Sequence, residues 1–125
     1  IPVLEEHTVL IIDDNEGLIQ LFRRFLRDQP YVVHGATSAE PALEVMERVR
    51  PDVVLLDVMM PGCDGWEMLE RLRAHQAGRR ARVVVCSIIN DPDLAAALGA
   101  DAFLLKPVER SKLLHTLCAV LSSRR

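Results

Sequence analysis

The chain has 125 residues, half of them hydrophobic, which suits a single domain with its own core. Its net charge of −3 gives no electrostatic reason to expect nucleic acid or an anionic membrane as a partner. Three cysteines without CxxC spacing argue against a disulfide framework or a zinc site. No apolar run approaches the roughly 18 residues that a membrane-spanning helix needs. We therefore expect a cytoplasmic protein.

Five apolar segments alternate along the chain with five segments of helical periodicity. Two of the apolar segments, residues 8–12 and 53–56, are unbroken runs, which is typical of strands buried on both faces of a parallel sheet. In chain order the pattern predicts strands at 8–12, 31–35, 53–56, 82–87 and 102–105, helices at about 15–28, 39–49, 65–75, 92–98 and 109–121, and a polar loop at 78–82.

This alternation predicts an α/β fold, a doubly wound five-stranded parallel sheet with helices on both faces. The predicted domain covers residues 8–121. Residues 1–7 are expected to be an N-terminal tail or linker, and residues 122–125 a C-terminal tail or the start of a linker. Periodicity alone does not give the order of the strands.

Four of the five predicted strands lead into polar side chains. Asp13 and Asp14 follow the first strand, Asp57 follows the third, Ser87 ends the fourth and Lys106 follows the fifth. The carboxyl ends of parallel strands share one edge of the sheet, and ligands bind at that edge in open α/β folds. We therefore expect these five side chains to lie together.

The chemistry of this set is specific. Three clustered carboxylates repel one another, so they require a cation, and all-oxygen ligands favour Mg²⁺. A carboxylate beside such an ion can attack phosphorus and form an aspartyl-phosphate. A lysine and a hydroxyl can then neutralise and hydrogen-bond the phosphoryl oxygens. The set therefore predicts a site that accepts a phosphoryl group.

Over residues 8–121 the order of these motifs resembles the receiver domain of two-component response regulators, the CheY-like superfamily. Residues 59–67 resemble the loop that follows the family's phosphoacceptor. Pro107 matches a proline whose preceding peptide bond is typically cis in the family. The resemblance implies a flavodoxin-like sheet with the strand order 2-1-3-4-5.

The resemblance also implies three overlapping sets of site residues and Mg²⁺ as the cofactor. They are the catalytic residues Asp57, Ser87 and Lys106; the metal ligands Asp13, Asp14, Asp57 and Met59, the last through its backbone carbonyl; and the switch residues Ser87 and Phe103.

The implied function is a phosphorylation switch. A histidine kinase or a phosphotransfer protein would deliver a phosphoryl group to Asp57, and the resulting change of conformation would regulate an output. The domain would assist its own phosphorylation and dephosphorylation without being an enzyme. A homodimer through the fourth helix, fifth strand and fifth helix is a further expectation, with no direct contact to nucleic acid or membrane.

Two departures from the family pattern leave an alternative open. Ile88 follows the hydroxyl residue at a position where the family usually has a small side chain, so it narrows the entrance to the site. The predicted fourth helix is also shorter than in most receivers. The alternative is a phosphorylation-independent, receiver-like module for protein interaction. A phosphohydrolase is disfavoured because Met59 occupies the position of its second acid.

Overall fold

The computed structural model describes residues 5–59 and 64–122. Residues 60–63, which belong to the segment that resembles the family's post-acceptor loop, lie outside the described residues, as do residues 1–4 and 123–125 of the two predicted tails. The strands are β1 (His7–Ile12), β2 (Tyr31–Ala36), β3 (Val53–Asp57), β4 (Arg82–Ser87) and β5 (Ala102–Leu105). The helices are α1 (Glu16–Phe25), α2 (Ala39–Val49), α3 (Gly65–Ala74), α4 (Gln76–Arg80), α5 (Pro92–Ala97) and α6 (Arg110–Ser122).

All five strands are parallel, in the order β2-β1-β3-β4-β5. This confirms the predicted fold class and the strand order that the resemblance implied. The order reverses between β1 and β3, which is the kind of position where open α/β sheets place their ligands. The ends of β1 and β3, with Asp13 and Asp57, are thus neighbours although they are distant in sequence.

The core lies on both faces of the sheet, which explains why the central strands are unbroken apolar runs. In β3, Val54 and Leu56 face one buried cluster, whereas Val53 and Leu55 face the other. Helices cover both clusters, so neither face of β3 needs polar side chains. The central strands are therefore fixed on both sides, and the side chains at their carboxyl ends are held firmly.

The structure differs from the prediction after α3. The expected polar loop is largely replaced by the short helix α4, which the imidazole of His75 caps by accepting a hydrogen bond from the Ala77 amide at 3.2 Å. Gly78 permits this arrangement because a Cβ at that position would overlap the Leu72 carbonyl. A five-residue helix is too short to show a 3.6-residue period. The predicted short fourth helix is therefore α5.

No helix among residues 5–59 and 64–122 has the length and apolar character needed to cross a membrane.

Gly65, the first residue of α3, is expected to tolerate no side chain. A Cβ there would overlap the backbone of Val58, the residue that follows Asp57. We expect Gly65→Ala to lower the free energy of unfolding by about 2 kcal/mol or more, because backbone must move to make room. Gly17→Ala is the matched control, since the nearest atom to its Cβ is a side-chain oxygen at 3.1 Å. Urea unfolding measures both, and equal losses would contradict the prediction.

Candidate functional site

Three carboxylates meet at the carboxyl ends of β1 and β3. One oxygen from each of Asp13, Asp14 and Asp57 lies within 4.8 Å of the other two. Asp13 and Asp57 are only 2% and 4% exposed, whereas Asp14 is exposed. Two carboxylates of the cluster are therefore buried, and the third is accessible to solvent. Because all its donors are carboxylate oxygens, it fits a hard metal cation.

Lys106 brings the positive charge to this cluster. Its Nζ lies 2.9 Å from Asp13 Oδ2 and 3.5 Å from Asp57 Oδ2. The Lys106 amide donates to the Ser87 carbonyl at 2.8 Å, which ties the end of β5 to the end of β4. The following peptide bond, to Pro107, is cis, in agreement with the resemblance. The structure thus brings together four of the predicted site residues, which are Asp13, Asp14, Asp57 and Lys106.

The backbone fixes the orientation of both buried carboxylates. Asp13 Oδ1 accepts a hydrogen bond from the Asn15 amide at 2.9 Å, and Asp57 Oδ1 accepts one from the Met59 amide at 2.9 Å. In each case the other oxygen, Oδ2, faces Lys106. Met59 therefore orients Asp57 through its amide. The resemblance also implies a metal contact for the Met59 carbonyl. That contact stays a prediction.

Burial and neighbouring charge shift the pKa values of two groups. Burial raises the pKa of Asp57, and the nearby charges of Asp13 and Asp14 raise it further, against the opposing effects of the Met59 amide and Lys106. For Lys106, burial alone would lower the pKa. The hydrogen bond to Asp13 and the charges of Asp13 and Asp57 outweigh burial, so the pKa is raised. The folded, metal-free protein therefore favours the ionised form of Asp57 less than the unfolded chain does.

This shift makes stability depend on pH. A carboxyl group whose pKa is higher in the folded than in the unfolded state stabilises the fold only at low pH, and that stability is lost as pH rises through the folded value. In metal-free protein near neutral pH, we expect Asp57→Asn to raise the free energy of unfolding, because it removes a buried charge. The gain should vanish below about pH 4, where the carboxyl is protonated in both states.

Chemical denaturation in a chelator, at acid and at neutral pH, measures this difference. Asp28→Asn is the control, because Asp28 is exposed and its backbone φ of 67° is one that asparagine also adopts. A loss of stability at neutral pH in Asp57→Asn would contradict the prediction.

Ser87 and Phe103 lie on the adjacent strands β4 and β5. Ser87 is fully buried at the end of β4, and its Oγ accepts a hydrogen bond from the Ile89 amide at 3.0 Å. Phe103 pairs with Val85 in the sheet, just as Leu105 pairs with Ser87. Since side chains two residues apart on a strand share a face, Phe103 lies on the same face of the sheet as Ser87. Their switch roles stay predictions.

Beside Lys106 the surface forms an apolar groove of about 420 Å³, lined by Asn15, Leu18, Leu21, Ile88, Lys106, Pro107 and Val108. Ile88 is 67% exposed and Leu21 is 38% exposed. Ile88 and Lys106 therefore line the same groove, and the narrowing of the entrance by Ile88 stays a prediction. The groove itself was not predicted. Its signal in the sequence is Leu21, an apolar residue outside the stripe of α1 that faces the core.

The sequence of this chain matches a known family model and is similar to known regulatory proteins. The family model described as "Response regulator receiver domain" matches residues 9–118. The chain is 38% identical over 118 residues to the nitrate/nitrite response regulator protein NarL of Escherichia coli K12, covering 90% of this chain and 54% of NarL. It is 38% identical over 122 residues to the sensory/regulatory protein RpfC of Xanthomonas campestris pv. campestris, covering 94% of this chain and 17% of RpfC.

The chain therefore spans about half of NarL and a smaller part of RpfC. Among solved structures, it resembles the receiver domain of the sensor histidine kinase PA1611 from Pseudomonas aeruginosa PAO1. The TM-score is 0.83 at 26% identity, covering 94% of this chain and 99% of that domain. That structure has a magnesium ion coordinated in its active-site cleft.

Proposed function

This chain belongs to the response regulator receiver domain family, and we propose that its Asp57 accepts a phosphoryl group from a histidine kinase or a phosphotransfer protein. The observation that carries the proposal is the convergence of three carboxylates within 4.8 Å, with the Lys106 ammonium 3.5 Å from Asp57. A cation-binding acid cluster beside a buried nucleophile and a fixed positive charge is what phosphoryl transfer requires.

The proposed cofactor is Mg²⁺, held by Asp13, Asp14, Asp57 and the Met59 carbonyl. Hard oxygen ligands and one solvent-exposed acid suit an ion that retains several waters. The magnesium ion in the receiver domain of PA1611 supports this choice. When bound, Mg²⁺ supplies positive charge to the carboxylates and to the phosphoryl oxygens.

In the proposed reaction a carboxylate oxygen of Asp57 forms a bond to phosphorus. The bond from phosphorus to the donor, a histidine nitrogen or the oxygen of an acyl phosphate, breaks, and its electron pair stays with the donor. Lys106 then neutralises the phosphoryl oxygens from its place beside Asp57. The Ser87 hydroxyl would donate a hydrogen bond to the same group. The chain modifies itself once per signal, so we propose a switch and not an enzyme.

The phosphoryl group carries about 1.5 to 2 negative charges, which replace the single charge of the Asp57 carboxylate beside Lys106. The Ser87 hydroxyl, drawn toward this group, would carry with it the Ile89 amide to which it is hydrogen bonded. We propose that this displacement, with a rearrangement of Phe103, transmits the signal to the loop at residues 88–91 and to α5.

Two surfaces suit partners of this switch. The groove beside Lys106 offers apolar side chains, Leu21 and Ile88, next to the acid cluster, where a helix presenting phosphohistidine would dock. On the other side, Leu94 of α5 and Leu105 of β5 are large apolar residues that are 36% and 45% exposed. The proposed homodimer would cover these two side chains together with part of α6.

The test is to incubate the protein with Mg²⁺ and acetyl phosphate and to measure its intact mass. We expect a gain of one phosphoryl group, which disappears when a chelator removes the metal, because the clustered acids then repel the donor. An adduct that forms equally well with chelator would contradict the role of the metal. No adduct, in a folded protein that binds Mg²⁺, would contradict the proposal and favour the phosphorylation-independent module.

A further inference from the structure

Outside the phosphoryl-accepting site, the most extensively bonded side chain described is Arg73, in the last turn of α3. Its Nε and Nη2 donate to the Gly99 carbonyl at 2.8 and 2.6 Å. Its Nη1 donates to the carbonyls of Gly78 and Ala81 at 2.9 and 2.7 Å, and its Nη2 also reaches Asp101 Oδ2 at 2.7 Å. These contacts engage all five N–H groups of a guanidinium.

These hydrogen bonds join α3 to the connection between α5 and β5. Gly99 follows α5 and Asp101 precedes β5, so both ends of that connection are tied to α3 through Arg73. Asp101 Oδ2 also accepts a hydrogen bond from the Val83 amide at 2.8 Å, and the Asp101 amide donates to the Val83 carbonyl at 2.7 Å. Arg73 and Asp101 therefore fix the carboxyl end of α5 to the amino end of β4.

The amino end of α5 is held quite differently. Ile88 and Ile89 precede it and are 67% and 50% exposed. The hydrogen bonds described for this loop are local: the Ile89 amide donates to Ser87 Oγ, the Asp91 amide to the Ile89 carbonyl, and the Leu94 amide to Asp91 Oδ1. The first of these depends on the Ser87 hydroxyl, which is the group that phosphorylation is proposed to move.

We propose that Arg73 is a positioning residue that makes the carboxyl end of α5 a fixed pivot of the switch. Resting on the proposed function, this means that phosphorylation of Asp57 displaces the 88–91 loop and the amino end of α5 while residues 99–101 keep their places. Displacing residues 99–101 would break several charge-assisted hydrogen bonds, whereas displacing the loop requires breaking only local ones.

The fixed carboxyl end of α5 also keeps Lys106 in place in the phosphoryl-accepting site. β5 begins immediately after Asp101 and leads directly into Lys106. Because Arg73 and Asp101 fix the amino end of this short strand, Lys106 keeps its position beside Asp57 while α5 moves. Movement of α5 is therefore not passed on to Lys106, although residues 99–101 connect α5 to the strand that leads into Lys106.

The experiment is a comparison of backbone amide chemical shifts before and after phosphorylation with acetyl phosphate and Mg²⁺, with incorporation confirmed by intact mass. In the wild-type protein we expect changes at residues 88–94 that are at least several-fold larger than those at residues 99–101. In Arg73→Met, which removes the donors, we expect residues 99–101 to change as much as the loop does. Arg71→Met is the control, because Arg71 is exposed and its described contact is a 3.4 Å pair with Glu40.

Each outcome is decisive. Equal changes at both ends of α5 in phosphorylated wild-type protein would overturn the pivot, and this comparison holds even if Arg73→Met fails to fold. A folded Arg73→Met protein in which residues 99–101 stay as still as in the wild type would also overturn it. If intact mass shows no phosphoryl group, the proposed function fails, and the pivot that rests on it fails too.

Discussion

Replacing Asp57 with asparagine is expected to abolish phosphoryl incorporation, by at least about 1,000-fold, because an amide cannot act as the nucleophile. The substitution should leave the fold intact. An asparagine oxygen can still accept the hydrogen bond that the Met59 amide gives to Asp57, and removal of the buried charge should stabilise the metal-free protein near neutral pH. A loss of phosphoryl incorporation would then show the absence of the nucleophile and not a disturbed fold.

The measurement is intact mass after incubation with Mg²⁺ and acetyl phosphate, with Asp28→Asn as the control. Asp28 is exposed and lies beyond the end of α1, so its change to asparagine should leave incorporation as in the wild type. Incorporation that persists in Asp57→Asn would contradict the assignment and transfer the acceptor role to another residue, with Asp13 and Asp14 as the nearest carboxylates.

Replacing Lys106 with methionine should separate metal binding from phosphoryl chemistry. The ammonium lies 2.9 Å from Asp13 and 3.5 Å from Asp57, so its loss removes the positive charge that neutralises the phosphoryl oxygens. We expect phosphorylation to slow by about 10- to 100-fold. Mg²⁺ should bind more tightly, because the acid cluster no longer has a competing cation. The free energy of unfolding of the metal-free protein should fall by about 2 kcal/mol, since two buried acids lose their partner.

The control for this variant is Lys112→Met. Lys112 is exposed on α6, and its removal changes the net charge by the same amount. The two variants should differ in phosphorylation rate, in Mg²⁺ affinity and in the free energy of unfolding. Phosphorylation kinetics, Mg²⁺ titration and chemical denaturation measure these three quantities. If Lys106→Met bound Mg²⁺ more weakly and was phosphorylated at the wild-type rate, Lys106 would have a purely structural role.

The strand pattern predicts the fold well where a single physical cause dominates. Residues 9–12 and 53–56 contribute buried side chains to the clusters on both faces, so their composition alone identifies them as parallel strands. The pattern does not predict the helix at Gln76–Arg80, because this helix is shorter than two turns and depends on a close contact at Gly78. The strand order came from the resemblance, because periodicity describes each element by itself and not its neighbours.

The candidate site also has features that the sequence predicts and features that only the folded protein shows. Asp13, Asp57 and Lys106 are predictable because strands ending at one edge must deliver their side chains together. The amides of Asn15 and Met59, which orient the carboxylates, have no signature in the sequence, since any residue but proline provides such a donor. Arg73 looks in the sequence like an ordinary arginine at the end of a helix. Its acceptors come from separate parts of the chain and meet only in the folded protein.

Locating the phosphoryl group in the sequence shows whether Asp57 is the phosphoacceptor. Borohydride reduces an aspartyl-phosphate to homoserine, a stable product that peptide mass spectrometry can place in the sequence. In protein phosphorylated with Mg²⁺ and acetyl phosphate, we expect homoserine at Asp57 and at no other aspartate, and none in protein incubated with a chelator. Homoserine at Asp13 or Asp14, or none in protein whose intact mass shows a phosphoryl group, would contradict this expectation.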